Sequence, residues 1–413
     1  MTRPKNRLRN GFAAAAAAGL LIVPVASGNA WSVAVAQPSA AAFPARTDPP
    51  VPSPSPGFPE LTPAVSRQLD RAVRQVMREA GVPGVTVGLW TPGRGSYVRA
   101  FGVADKASGA PMSTGLNMRV GSVTKTFTVT ALLTLVDRGE VGLDDPIGRY
   151  VKGVPNGERI TLRDLAGMRS GLFNYSMDPD FFKALTSDPH RPFTPQELLA
   201  YSFRHPVQFQ PGEKFEYSNT NAILLGLVVE KAGGLPLAEY LERNVFRPAG
   251  MHHTFLPRGT EFPAPHAQGY TDQTADGRTQ NATDWDPSWA WAAGGAISDQ
   301  RDLRVWARVL ATGTLLTPAT QAERLRTGSS GLPDTGYGLG IFDVHGWIGH
   351  NGSLPGYESL VVYLPETRTT LVVLLNTDTD YRGSEPSTLF GEAITRIVTP
   401  QHVYTLPAQP AGR

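Results

Sequence analysis

The chain has 413 residues, 41% of them hydrophobic, enough to bury a large core in one big domain or two. Its 38 basic and 36 acidic residues leave a formal charge of +2, which gives no electrostatic bias toward DNA or RNA. Cysteine is absent, which excludes disulfides, thiolate catalysis, Cys-based zinc sites and lipid-bearing cysteines, so stability must come from packing.

The N-terminus reads as a signal peptide over 1–36. The head MTRPKNRLRN carries Arg3, Lys5, Arg7 and Arg9 and no acid, and Gly11 to Ala36 carries no charge. The apolar run from Gly11 to Ala26 ends at small-residue sites, of which Ala34-Val35-Ala36 fits the A-x-A pattern better than Gly28-Asn29-Ala30. The run falls short of the roughly 20 apolar residues a membrane span needs, and Pro24 interrupts it. The expected location is therefore secreted or extracytoplasmic, with an uncleaved membrane anchor as the alternative. Residues 37–60 are rich in Pro, Ala and Ser and read as an extended spacer.

A folded domain is expected over 61–400, followed by a tail over 401–413. Thr62-Pro63 looks like a helix start, and Val65, Leu69, Ala72, Val73, Val76 and Ala80 recur at helical spacing up to a stop at Gly81. "PGVTVGLW" and "GSYVRAFGVA" read as two strands joined by a turn from Thr91 to Gly95. A helix carrying Val129, Leu132, Leu133 and Val136 on one face follows and ends at Gly139. Residues 121–290 are mostly helical segments and Pro/Gly-rich loops, and "SNTNAILLGLVVEKAGG" is the clearest helix among them, starting near Asn219. After another helix, "YGLGIFDV", "GWIGHNG", "ESLVVYLP" and "TTLVVLLNT" read as strands, and "STLFGEAITRIV" reads as a last helix. The fold class is α/β (α+β): an antiparallel sheet built from both chain ends and flanked by helices, with a mostly helical inserted subdomain. The cleft between sheet and insertion is the default site.

Ser122 and Lys125 stand three residues apart at a helix start, and i and i+3 share a helix face. A hydroxyl is a weak nucleophile near neutral pH and needs a neighbouring base. A Lys made neutral by burial can supply one. A bland reading remains, in which Ser122 is a surface helix cap. S-x-x-K alone is a weak signal, but it is the only one in this chain. The only Y-x-N follows at Tyr217-Ser218-Asn219, and the only H-x-G comes last, at His350-Asn351-Gly352.

With these three motifs in order, the chain resembles the serine penicillin-recognising family, with its β-lactamase/transpeptidase-like fold. It looks most like the branch holding class C β-lactamases, D-alanyl-D-alanine carboxypeptidases and related esterases. The resemblance runs from about Leu61 to Val398 and includes "ITLRDLAGMRSGL". It implies that Ser122 is the acylated nucleophile and that Lys125 and Tyr217 share the proton work. Asn219 would hydrogen-bond Lys125 and the substrate amide, and His350 would help orient the substrate and Tyr217. The resemblance also assigns Asn351, Gly352 and Ser353 to substrate binding. The N–H groups of Ser122 and Ser353 would form the oxyanion hole. No metal or cofactor is required.

Three departures bear on the substrate. His350 stands where β-lactamases carry Lys, and an imidazole is cationic only below about pH 6.5. Asn351 stands where Thr or Ser is common. Phe342 aligns with an Arg that clamps a terminal carboxylate in some carboxypeptidases, and Arg324 and Arg326 are the candidate substitutes. Trp285, Trp289 and Trp291 are either packing residues or a cleft wall. His252-His253 on a turn is a poor metal site, because adjacent residues rarely share one ion. The implied function is an exported D-alanyl-D-alanine carboxypeptidase acting through an acyl-enzyme, with peptidoglycan as partner and small peptide, ester or β-lactam substrates. An esterase or β-lactamase on the same scaffold is the first alternative, and a non-catalytic penicillin- or peptidoglycan-binding module is the second.

Overall fold

A computed structural model describes residues 59–406. The leader, nearly all of the spacer and the last seven residues lie outside the described residues. The first helix, α1 (Pro63–Ala80), is capped by Thr62, whose hydroxyl accepts from Val65 N, and Gly81 ends it in the left-handed conformation. It packs against the last helix, α5 (Pro386–Val398).

Eight antiparallel strands form one sheet. In chain order they are β1 (Gly84–Thr91), β2 (Gly95–Gly102), β3 (Gly328–Ser329), β4 (Thr335–Tyr337), β5 (Phe342–Val344), β6 (Trp347–Leu354), β7 (Tyr357–Leu364) and β8 (Thr369–Leu375). Their spatial order is β2-β1-β8-β7-β6-β5-β4-β3, so the N-terminal hairpin docks on the C-terminal meander through register pairs such as Val87 with Val373. Both chain ends thus build the sheet, as expected from the hairpin spacing.

β7 and β8 are apolar runs rather than alternating ones because both faces of the sheet are covered. Leu360, Val362, Leu371 and Val373 point into a core shared with Leu69, Val73, Phe390 and Ile394 from α1 and α5. Their neighbours Val361, Tyr363, Val372 and Leu374 point into the opposite core, formed with the inserted helices. That second core holds α2 (Thr124–Asp137), α3 (Asn219–Gly233) and α4 (Gln300–Thr312).

Two sequence expectations change in detail. "YGLGIFDV" is not one strand: it is a hairpin in which Tyr337 pairs with Phe342, turned at Gly340, where φ is +69°. α2 has no exposed polar face, since every residue from Thr124 to Leu135 is buried. Its threonines are tolerated there because each hydroxyl finds a backbone partner: Thr126 donates to Val123 O, Thr130 to Thr126 O, Thr134 to Ala131 O and Thr128 to Ala292 O, and Thr124 accepts from Ala296 N.

Candidate active site

The first motif is held by a backbone zipper. Met118 and Arg119 pair with Ser298 and Ile297, and Val120 N donates to Ala296 O at 3.0 Å. This brings the segment ending at Trp291–Gly294 over the start of α2, 168 residues away in sequence. Ser122 lies in the 3-10 turn Gly121–Val123 just before α2, with no side-chain cap on that turn. Lys125 Nζ lies 2.9 Å from Ser122 Oγ and donates to Ala293 O at 2.7 Å. The capping reading of Ser122 therefore fails.

Lys125 is wholly buried, and burial without a paired carboxylate pushes its pKa well below the usual lysine value. Burial thus works toward the neutral amine. The Ala293 carbonyl accepts a hydrogen bond from one of its N–H groups, which in the neutral amine leaves the lone pair free for Ser122. No sequence signal marks a backbone carbonyl for this task.

Tyr217 enters from the loop before α3, anchored where Glu216 N donates to Met168 O. Lys125 Nζ sits 4.9 Å from the centroid of the Tyr217 ring. The phenol oxygen is buried with no well-formed hydrogen bond. Burial raises its pKa, a contact with Ser122 opposes that rise, and Glu385 adds to it. Tyr217 is therefore held as a proton donor rather than a ready phenolate. Asn219 differs from expectation: its Nδ2 donates to Ser176 Oγ at 3.0 Å and its backbone N to Asn174 Oδ1. The partner expected of it at Lys125 is instead the Ala293 carbonyl.

The third motif runs along β6. Ser359, paired with Gly352, donates its hydroxyl to Val120 O at 2.8 Å and so ties β7 to the nucleophile turn. Gly352 is required by space: a Cβ there would lie 2.2 Å from Val120 O and 2.7 Å from Ser122 N. Gly121 adopts φ +50°, and a Cβ on it would lie 2.7 Å from Ser353 N. Gly121-Ser122 and Gly352-Ser353 thus pack backbone against backbone with no room for a side chain, and the two N–H groups expected to form the oxyanion hole lie on these segments.

His350 cannot serve as a cation. It is 1% exposed, and burial, with a smaller contribution from Lys125 in its protonated form, lowers its pKa to about 3. Its Nδ1 donates to Asn351 O at 2.5 Å, and the Tyr337 hydroxyl lies 3.4 Å from Nε2. Asn351 Nδ2 donates to Glu385 Oε2 at 2.6 Å. Phe342 lies 4.9 Å from His350, centroid to centroid, and stacks on Tyr217. Phe215 and Tyr337 complete an aromatic wall. Arg324 is buried against Thr130, and Arg326 pairs with Glu323 at the surface, so both are engaged elsewhere. Sequence reasoning missed Phe215, Tyr337 and Glu385. Only Phe215, two residues before Tyr217, lay near a motif.

The tryptophans and histidines outside the motifs have structural settings. Trp285 is buried, Trp289 O accepts from the Tyr175 hydroxyl, and Trp291 covers Gly226 on α3. Among the described residues no group of three His, Asp or Glu side chains gathers to hold a metal ion, and His253 faces Asp299 at 3.7 Å.

Several known proteins share this fold. A D-stereospecific amidohydrolase from Streptomyces sp. is similar in structure, with a TM-score of 0.71 and 30% identity, covering 81% of this chain and 98% of that one. D-amino acid amidase from Ochrobactrum anthropi SV3, complexed with D-phenylalanine, gives a TM-score of 0.71 at 30% identity over 81% and 96% of the two chains. Penicillin-binding protein 4* of Bacillus subtilis (strain 168) is 24% identical over 340 residues, 77% of this chain and 72% of that protein. Two other curated relatives are covered over 66% and 46% of their length. The Beta-lactamase family description matches residues 69–389, a span that holds all three motifs and the sheet they line. With S-x-x-K, Y-x-N and H-x-G brought into contact within that fold, this chain belongs to the Beta-lactamase family, within the serine penicillin-recognising superfamily.

Proposed function

We propose that this chain is an acyl-enzyme hydrolase of small amides or esters that carry no carboxylate beside the scissile bond. The observation that carries this reading is the 2.9 Å contact between Ser122 Oγ and a wholly buried Lys125 Nζ. With the amine neutral, the Ser122 O–H presents its proton to the Nζ lone pair. Oγ bonds to the substrate carbonyl carbon, the proton passes to Lys125, and the oxyanion lies against the N–H groups of Ser122 and Ser353. Tyr217 donates its proton to the departing nitrogen or oxygen and is reprotonated from Lys125. The C–N or C–O bond breaks and leaves an ester on Ser122. Water attacks that ester along the reverse proton path and frees the acid.

The cations expected to take a substrate carboxylate are engaged elsewhere, Arg324 on Thr130 and Arg326 on Glu323, and this narrows the substrate. A D-alanyl-D-alanine peptide or a β-lactam would bring a carboxylate to a wall of neutral His350, Phe342 and Phe215. For that reason we rank neutral amides and esters first and the carboxypeptidase and β-lactamase readings second. The similarity to D-amino acid amidase and D-stereospecific amidohydrolase supports amide substrates. A complete Ser122, Lys125 and Tyr217 set argues against a silent binding module. The leader reading makes the enzyme an exported one.

The test is turnover of a D-amino acid amide, an aryl ester, a D-alanyl-D-alanine peptide and nitrocefin, measured side by side. The amide and ester should lead. A clear lead for the D-alanyl-D-alanine peptide would reverse the ranking.

A further inference from the structure

The turn that supplies Lys125 with its acceptor does not close on itself. Trp291 opens it at φ +28°, a backbone angle that bulky residues rarely adopt. In a regular helix Ala292 O would accept from Ala296 N, and Ala293 O from Ile297 N, four residues on. Here Ala296 N donates to Thr124 Oγ1 at 3.0 Å, and Ile297 N donates to Phe255 O at 3.0 Å. Gly295 N, which a tighter turn would offer to Ala292 O, donates to Trp291 O at 2.8 Å. The turn's own backbone thereby releases both carbonyls, and α2 takes them up. Thr128 Oγ1 donates to Ala292 O at 2.8 Å, and Lys125 Nζ donates to Ala293 O at 2.7 Å.

Thr128 stands one turn beyond Lys125 on α2, and residues i and i+3 share a helix face. Thr128 and Ala292 are both fully buried. The hydroxyls of Thr126, Thr130 and Thr134 turn back onto carbonyls three or four residues earlier, whereas that of Thr128 crosses 164 residues of sequence to reach the turn. Valine has the same branched shape and would fill the same space, so what threonine adds there is the donor. A buried carbonyl with no donor is costly, and beside an amine it favours the ammonium form. By occupying Ala292 O, Thr128 leaves Lys125 with Ala293 O as its backbone acceptor. The titratable groups that face Lys125 are Tyr217, whose ring centroid lies 4.9 Å from Nζ, and His350, whose titration feels the Lys125 charge. Among the described residues no carboxylate is paired with Lys125.

We propose that Thr128 is a positioning residue for the reaction: its hydroxyl fixes the paired carbonyls of Ala292 and Ala293 so that Lys125 keeps its lone pair toward Ser122. This deepens the hydrolase reading and rests on it. Thr128 acts through the turn and through Lys125, not on the substrate. Without the hydroxyl, Ala292 O lacks its donor and turns to Nζ. The ammonium then gains a further acceptor beside Ser122 Oγ and Ala293 O, and Lys125 becomes easier to protonate.

The test is the pH profile of kcat/KM on a neutral aryl ester for wild type, Thr128→Val and Thr128→Ser, with thermal unfolding of each preparation. In Thr128→Val the acid limb should move to higher pH by about half a unit or more, so that turnover below the limb falls about threefold or more. KM should stay within about twofold, since no substrate contact is removed. Thr128→Ser restores the donor and should restore the wild-type limb. A folded Thr128→Val enzyme whose limb is unmoved, or moves to lower pH, overturns the proposal, and so does a Thr128→Ser limb displaced as far as that of Thr128→Val. If Thr128→Val does not fold, Thr128→Ala removes the hydroxyl with less bulk and is held to the same shift. If Ser122→Ala abolishes turnover while the Thr128→Val limb stays in place, the Thr128 assignment alone falls. Turnover that survives Ser122→Ala removes the hydrolase reading and this assignment with it.

Discussion

A single methyl group on Gly352 should separate the two oxyanion donors. The added Cβ of Gly352→Ala would start 2.2 Å from Val120 O and 2.7 Å from Ser122 N. Ordinary contact begins near 3.4 Å, so β6 must retreat from the nucleophile turn by about 1.2 Å. Preorganised sites tolerate displacements of only about 0.5 Å, so Ser122 N–H and Ser353 N–H could no longer address one oxygen together. Losing one such donor costs about 10²–10³ in kcat. Overpacking the strand costs about 1–3 kcal/mol of stability, which a domain of this size survives. The assay is kcat on an aryl ester alongside thermal unfolding of the same preparation. A folded Gly352→Ala enzyme with kcat within about twofold of wild type would refute the reasoning, because the donors would not need this approach.

Replacing Lys125 by Met should lower kcat by about 10²–10⁴ with the fold retained, and should remove the fall in wild-type kcat/KM as pH drops and Lys125 takes a proton. A variant with the wild-type pH profile would assign the base elsewhere. His350 titrates at about 3 when folded against about 6.5 unfolded, so the unfolded chain binds the extra proton between these values and stability falls as pH drops through that window. Between about pH 7 and pH 4, His350→Gln should therefore lose about 3 kcal/mol less unfolding free energy than wild type in urea titrations, and parallel losses would contradict this. Phe342→Arg places a cation against Tyr217 and His350, and should shift the ratio of D-alanyl-D-alanine peptide to aryl ester turnover toward the peptide by about tenfold or more. An unchanged ratio would show that the carboxylate end lies elsewhere.

The elements that carry the site were legible where local chemistry specified them. Thr62-Pro63 and Gly81 bracket α1, Thr91 to Gly95 turns the first hairpin, and Asn219 opens α3. Ser122, Lys125, Tyr217 and His350 were readable because their types and order match a family pattern, and folding brings them into ring and hydrogen-bond contact. Other features depend on tertiary partners that sequence does not specify. The Ala293 carbonyl reaches Lys125 only because Val120 zippers onto Ala296. The charge state of His350 depends on burial beneath Tyr337 and Phe342, which its neighbours in sequence do not reveal. α2 read as amphipathic because its buried threonines look polar until their carbonyl partners are in place.

The central claim is that one hydroxyl, activated by a buried amine, carries the acyl group. Its most direct test is to quench the enzyme during turnover of a slow aryl ester and map the adduct by peptide mass spectrometry. The account predicts an acyl mass on the tryptic peptide from Val120 to Lys125, fixed to Ser122 and absent from Ser122→Ala. An adduct on any other residue, or one that persists in Ser122→Ala, would contradict it.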